Sequence, residues 1–168
     1  MKIICISDTH IENGNRKLPD ALTHALEGAD LILHAGDITS LTVIDELKAY
    51  APVEAVAGNM DGFDVAEKLP EKTIIQAGRF RIGLVHGGGS VRDLEERVVS
   101  MFRHDDVDCI VYGHSHRANI ERRPVEQLRR KSILLVNPGS PTDRVHAKEN
   151  SYAVITVDEE LNAEIIKI

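Results

Sequence analysis

Tryptophan is absent from the 168-residue sequence, and three phenylalanines and three tyrosines bring the aromatics to only 4%. The core must therefore be assembled from Ile, Leu, Val and Ala, in one domain spanning residues 1–168, a length that suits a single sizeable core and is short for two. Cysteine is nearly absent too. Cys5 and Cys109 both sit inside apolar runs, which excludes a disulfide framework or a thiolate metal cage and suits a reducing compartment. No apolar run approaches bilayer length, and MKIICISDTH places only four apolar residues between Lys2 and Ser7, too few for a signal-peptide core. A cytoplasmic protein without membrane contact is expected. Positive charge is in deficit: 20 basic residues against 27 acidic ones give a formal net charge of -7. That sign argues against stable nucleic-acid binding, so any phosphate-bearing partner has to be met by a local positive feature.

What the sequence does have is a series of short apolar runs: Ile3 to Ile6, Leu31 to Leu33, Val53 to Ala57, Ile82 to Val85 and Cys109 to Tyr112. They read as buried strands. Between them lie helical patterns. One starts at Pro19, turns Ala21, Leu22, Ala25 and Leu26 to one face and stops at Gly28; the next runs from Ser40 through Leu41, Ile44 and Leu47 to Tyr50; a third is capped by Ser90 and buries Leu94, Val98, Met101 and Phe102. Alternation of this kind predicts an α/β fold. Thr73 to Gln76 and Arg79 to Val85 flank a hairpin signal at Ala77-Gly78, and Ile133 to Val136, Tyr152 to Val157 and Glu164 to Ile168 add strands at the end, the last two split by DEELN. The sheets must then be mixed, with a second one drawn from the C-terminal strands.

Each of the five runs ends on a residue type that binds metals: Asp8 and His10, then Asp37, then Asn59, then His86, then His114 and His116. Loops at the carboxyl ends of strands converge in α/β sheets, so these donors would meet. Glycine precedes three of them, at Gly36, Gly58 and Gly113, where backbone must turn sharply near a ligand. Imidazole, carboxylate and amide donors without thiolate suit manganese, nickel, zinc, iron or cobalt. Seven donors exceed what one catalytic ion with an open position can use; two ions about 3.5 to 4 Å apart, bridged by Asp37, would use them. Paired divalent cations inside an acidic protein would bind a phosphate ester, lower the pKa of a bridging water and favour hydrolysis.

In this order DTH, GD, GNMD, the HG of VHGGG and GHSH resemble the five signature blocks of the calcineurin-like metallophosphoesterases, and the compact spacing and NPGSP at 137–141 resemble the small single-domain phosphodiesterase branch of bacteria and archaea. The resemblance covers essentially the whole chain. It implies a four-layer α/β/β/α sandwich of two mixed sheets with a dinuclear site at the strand C-terminal edge. Asp8, His10, Asp37 and His116 would hold one ion and Asp37, Asn59, His86 and His114 the other, with Asp37, Asn59, His86 and His116 carrying catalysis. The implied activity is a manganese- or nickel-dependent hydrolase that cleaves a small phosphodiester by attack of a metal-bridging hydroxide. Many relatives have histidine after the asparagine of the third block, where this chain has Met60, although the small branch often lacks that histidine too. A thioether cannot donate a proton, so diesters with good leaving groups should be favoured over monoesters.

Other readings stay open beside this one. Within enzymes the alternatives are a phosphomonoesterase or a nuclease. Outside them stands a protein-interaction scaffold, as in the retromer subunit that resembles this fold but has an impaired site. Asp61 is expected to brace a loop or orient a ligand histidine, or else to be a solvated carboxylate. His24, His34, His104 and His146 read as surface or packing residues. The triple glycine at 87–89 is a flexible loop or a phosphate contact. Ser140 and Arg144 are weak candidates for touching substrate. Arg122, Arg123, Arg129, Arg130 and Lys131 read as a solvated loop, with a substrate or subunit contact as the alternative; a homo-oligomer through that loop or a sheet edge is open.

Overall fold

Strand β1 (Lys2–Ile6) is apolar on both faces, and that determines where it lies. In the computed structural model of the protein, which describes residues 1–12, 17–125, 132–143 and 145–168, Ile3 and Cys5 point into one core and Ile4 and Ile6 into another. The same alternation recurs in β2 (Leu31–His34), β5 (Phe80–Val85), β6 (Cys109–Val111), β8 (Ser132–Asn137) and β9 (Ser151–Val157). A strand buried on both faces needs a layer on each side of it. The central core lies between two sheets. A second core fills the space under helices α1 (Asp20–Leu26) and α2 (Leu41–Lys48), and a third lies under α4 (Leu94–Met101). The result is the expected α/β/β/α sandwich.

With β3 (Val53–Ala55), β4 (Lys72–Ala77), β7 (Asn119–Pro124) and β10 (Leu161–Lys167), the first sheet has the order β10-β9-β1-β2-β3 and the second β4-β5-β6-β8-β7. Both are mixed. Strands β1, β2 and β3 are parallel in one, and β5, β6 and β8 in the other, with antiparallel strands outside them. The carboxyl ends of the parallel strands of both sheets meet at one edge, where His86 Nδ1 lies 2.8 Å from the Ala35 carbonyl and His114 N–H donates to Asp8.

Several local expectations are corrected. Arg122 and Arg123, read as a loop, stand on edge strand β7, held by antiparallel pairing with β8; Arg129, Arg130, Lys131 and Arg144 lie outside the described residues. A four-residue helix α3 (Phe63–Ala66) follows the third loop unannounced. Ala77 pairs with Phe80, so the hairpin turn is Gly78-Arg79, with Gly78 at φ 57°. Ser40 caps α2 as expected, but Val43 is fully buried while Leu41 is only half-buried. Ser90 caps a single 3-10 turn, Val91–Asp93, before α4 begins. Ala21 is exposed and Met101 half-buried.

Candidate metal centre

The loops that leave the parallel strands do not follow ordinary backbone paths. Among the described residues six non-glycine residues have positive φ: Asp8, His10, Asp37, Thr39, His114 and His116. Five of them are sequence-predicted ligands, and Thr39, β-branched, is the least tolerant of that region. Each such residue costs about 1–3 kcal/mol and persists only where the surroundings enforce it. Here the surroundings are hydrogen bonds. His10 N–H donates to the Asp37 carbonyl at 3.1 Å. Ser140 Oγ donates to the Asp8 carbonyl at 2.7 Å, Thr142 Oγ1 to that of Thr9, and Ser7 Oγ to that of Gly139. Asn137 Nδ2 donates to the Gly113 carbonyl at 2.9 Å. NPGSP thus ties the first ligand loop to the last. Ser140 is 0% exposed, so it positions Asp8 and cannot touch substrate, contrary to expectation.

Glycine is required at two of these loops by crowding. A Cβ on Gly58 would stand 2.2 Å from Asp37 Oδ1, and one on Gly113 would stand 2.8 Å from Asp8 Oδ2. Asp61 accepts from Thr39 N–H at 2.6 Å and from Gly58 N–H at 2.7 Å, bracing the loops that carry Asp37 and Asn59.

The donor atoms converge at 3.0 to 3.7 Å from one another. His86 Nδ1 is 2.8 Å from the Ala35 carbonyl, which can only accept, so this nitrogen carries a proton and Nε2 is the nitrogen a cation could use. Nε2 faces Asp37 Oδ2 at 3.3 Å and Asn59 Oδ1 at 3.0 Å. His116 is fixed the same way: its Nδ1 donates to Asp143 Oδ2 at 2.5 Å, which leaves Nε2 facing Asp8 Oδ1 at 3.4 Å and His10 Nε2 at 3.3 Å. Asp37 Oδ2 is also 3.7 Å from His10 Nε2. Buried acceptors pointing at one another are costly unless protons or cations stand between them. The donor atoms of Asp8, His10 and His116, and those of Asp8, Asp37 and His86, all lie within 4.8 Å of one another in each group. Asp8 therefore belongs to both groups, while Asp37, in the second, reaches the first through His10. The arrangement fits divalent cations held by oxygen and nitrogen.

His114 stands apart from these two clusters. Its Nε2 donates to the Gly89 carbonyl at 2.7 Å, leaving Nδ1 as the nitrogen available to a cation, while its backbone N–H donates to Asp8 at 3.0 Å. Two residues that the sequence did not single out complete the surroundings. Asp143 holds His116 and accepts from the backbone N–H groups of Val145, His146 and Ala147. His146, read as a surface or packing residue, is exposed and packs its ring edge-on against His116, with centroids 5.7 Å apart.

The charges shift as this geometry requires. The Asp8 carboxylate, and Asp143 behind it, raise His116 to about 9 against the effect of burial. Burial works against a charge on His86, but the Asp37 and Asp8 carboxylates outweigh it and raise its pKa. Burial opposes ionisation of Asp143, yet the three backbone donors and His116 hold its carboxyl well below the usual range. His34, behind the first loop and bonded to Thr9 Oγ1 at 3.0 Å, is a packing residue as expected; burial pushes it down to about 3. The centre is a pocket of negative field and basic nitrogens, the electrostatic counterpart of a cation.

The comparisons with known proteins agree with this geometry. A profile of the calcineurin-like phosphoesterase superfamily domain matches residues 1–160. A protein of Methanothermobacter thermautotrophicus named a probable metallophosphoesterase is 38% identical over 168 residues, covering 99% of this chain and 92% of that protein. Among solved structures, vacuolar protein sorting 29 of Cryptosporidium parvum matches with a TM-score of 0.76 at 22% identity over 99% of this chain and 97% of that one. A protein described as a novel archaeal phosphodiesterase matches with a TM-score of 0.71 at 22% identity over 100% of both chains. These two likenesses show the fold; the profile and the full-length relative show the lineage. With all five of its ligand blocks at strand ends on one edge of two mixed sheets, the chain belongs to the calcineurin-like phosphoesterase superfamily.

Proposed function

We propose that the protein is a metal-dependent phosphodiesterase in a single domain, with two divalent cations held by Asp8, His10, Asp37, Asn59, His86, His114 and His116. The observation that carries this reading is the convergence of nitrogen and oxygen donor atoms of His10, His86, His116, Asp8, Asp37 and Asn59, which approach one another at 3.0 to 3.7 Å. Manganese or nickel suits the donor set, as do zinc, iron and cobalt. When bound there, the cations supply the positive charge that holds an anionic ester and acidifies an attacking water.

The chain's own residues do the rest. Asp37 is positioned by Met60 N–H, which donates to its Oδ1 at 2.7 Å and leaves Oδ2 directed at both His10 and His86. Ala35 and Asp143 fix the ring orientations of His86 and His116, so neither has to reorganise when substrate arrives. Asn59 contributes a neutral oxygen beside His86 and keeps the donor set from becoming too negative to accept a phosphate. Above them lies a cleft of about 620 Å³, lined by His10, Asp37, Asn59 and His116 at its floor. Met60, at the position of the familiar proton donor, cannot protonate a leaving group. Diesters whose leaving groups depart without protonation are therefore the favoured class, and the likeness to an archaeal phosphodiesterase supports that choice.

A scaffold role, suggested by the likeness to vacuolar protein sorting 29, gives no reason for a full set of oriented donors. The experiment is hydrolysis of bis-p-nitrophenyl phosphate after chelation and add-back of manganese, nickel or magnesium, for the wild type and Asp37→Ala. Metal-dependent turnover at least about a hundredfold above the variant is expected, as for loss of a group that stabilises transition-state charge. Equal rates for the two proteins would refute the reading.

A further inference from the structure

Phosphate chemistry does not require an apolar rim, yet the cleft has one. Six large apolar side chains are exposed among the described residues: Met1, Met60, Phe63, Val91, Val145 and Ile168. Two are the first and last residues. Of the other four, Met60 at 62% exposure, Val91 at 54% and Val145 at 79% all line this one cleft. They come from three separate segments: Met60 directly follows Asn59, Val91 opens the 3-10 turn after the triple glycine and Ser90, and Val145 stands two residues beyond the Asp143 that holds His116. Exposed apolar residues scattered singly need no explanation, but three that converge on one cleft over a set of metal donors mark a binding surface.

The cleft is also too large for its floor alone. At about 620 Å³ it lies within the range of sites that enclose ligands of drug size, and a phosphate with two small alkyl arms would leave most of it filled with water. One cation stands at the same rim. Arg117 lines the cleft, and its exposed guanidinium bonds no carboxylate among the described residues. A planar guanidinium stacks on aromatic rings, and a thioether packs favourably against ring edges.

Resting on the phosphodiesterase reading, we propose that the site selects diesters with an aromatic arm, which lies on Met60, Val91 and Val145 beside Arg117 while the phosphate sits over the donors. Met60 then has a positive role. Where many relatives place a proton donor, this chain places a contact surface for the ester's organic group.

The test holds the leaving group constant and varies the other arm. p-Nitrophenyl phenyl phosphate and p-nitrophenyl methyl phosphate are compared with the manganese-loaded protein, each kcat/KM being normalised to the uncatalysed rate. The phenyl ester should be favoured by roughly tenfold, the scale of discrimination by an apolar subsite. The triple variant Met60→Ser, Val91→Ser, Val145→Ser should reduce that preference to near unity, chiefly through KM. As a readout independent of turnover, diphenylphosphinate, which has no ester bond to break, should bind more tightly than dimethylphosphinate in calorimetry, and the variant should abolish the difference. Turnover of both esters with no preference, or a preference that survives in the triple variant, would overturn this inference and leave the phosphodiesterase reading intact; the first result is also the one expected if the rim docks a protein instead. No turnover of either ester with any metal would instead remove the reading on which it rests.

Discussion

At the scale of single residues, the site depends as much on the groups behind the donors as on the donors. Asp143 is the clearest case. It holds His116 Nδ1–H at 2.5 Å and is itself held by three backbone N–H groups. Replacing it, as Asp143→Asn, leaves the size unchanged and removes the charge that fixes the ring. Metal affinity should fall by about 10- to 100-fold, the usual effect of removing a partner behind a ligand histidine, measurable by competition with a chromogenic chelator. An unchanged affinity would show that His116 orients itself. His34 makes the second prediction. Its folded pKa, about 3, lies below the ordinary 6.5 because the ring is buried and neutral. The unfolded chain then binds a proton that the folded chain refuses, so this contribution to stability is complete above pH 6.5 and is lost as pH falls from 6.5 towards about 3. The loss runs at about 1.4 kcal/mol per pH unit. Urea unfolding at pH 7 and pH 5 should show a drop of about 2 kcal/mol in the wild type that His34→Gln largely removes; parallel pH profiles for the two proteins would contradict the assignment.

At the scale of elements, the ligand loops are short and over-determined, which is why small changes in them should have large effects. Gly58→Ala puts a methyl group where Asp37 Oδ1 and the Asp37 backbone already stand, at 2.2 and 2.3 Å. Either Asp37 or the loop after β3 must move. The expected result is a fall of at least about a hundredfold in metal-dependent kcat/KM, as a displacement near 1 Å costs in a positioned site, with far-ultraviolet circular dichroism unchanged. Wild-type kinetics in this variant would mean that the close approach is not needed. These loops are also the most legible part of the sequence. A buried strand announces itself by an unbroken apolar run, and a donor at its end is visible by residue type, so all five blocks can be placed from residue order alone. What escapes lacks one of those signals. Strand β7 reads NIERRP, with charge where a strand should be apolar, because it is an edge strand stabilised by pairing with β8 and only half-buried. Helix α3 has four residues, too few for a periodic pattern. Asp143 and Ser140 act only after the NPGSP segment folds back over the first loop, and no local feature of the chain encodes that return.

At the scale of the whole molecule, the centre joins two halves. Asp8, His10, Asp37 and Asn59 follow strands of the first sheet, and His86, His114 and His116 follow strands of the second. The central core packs the sheets together, and the donors gather where that packing brings the ends of both sets of parallel strands to one edge. The division also bears on how an acidic protein would meet the anionic ester proposed for it. Both carboxylates come from one sheet and most of the imidazoles from the other, so the cations that would neutralise them also link the sheets. Metal bound only by the folded state adds stability by mass action, about 2.7 kcal/mol at a hundred times the dissociation constant.

The central claim is that donors from both sheets hold paired cations, and calorimetric titration of the chelated protein with manganese tests it most directly. Two ions per chain are predicted for the wild type, with at least one lost in Asp37→Ala, whose carboxylate faces histidines from both sheets. No binding by the wild type, or an Asp37→Ala isotherm identical to it, would contradict the account.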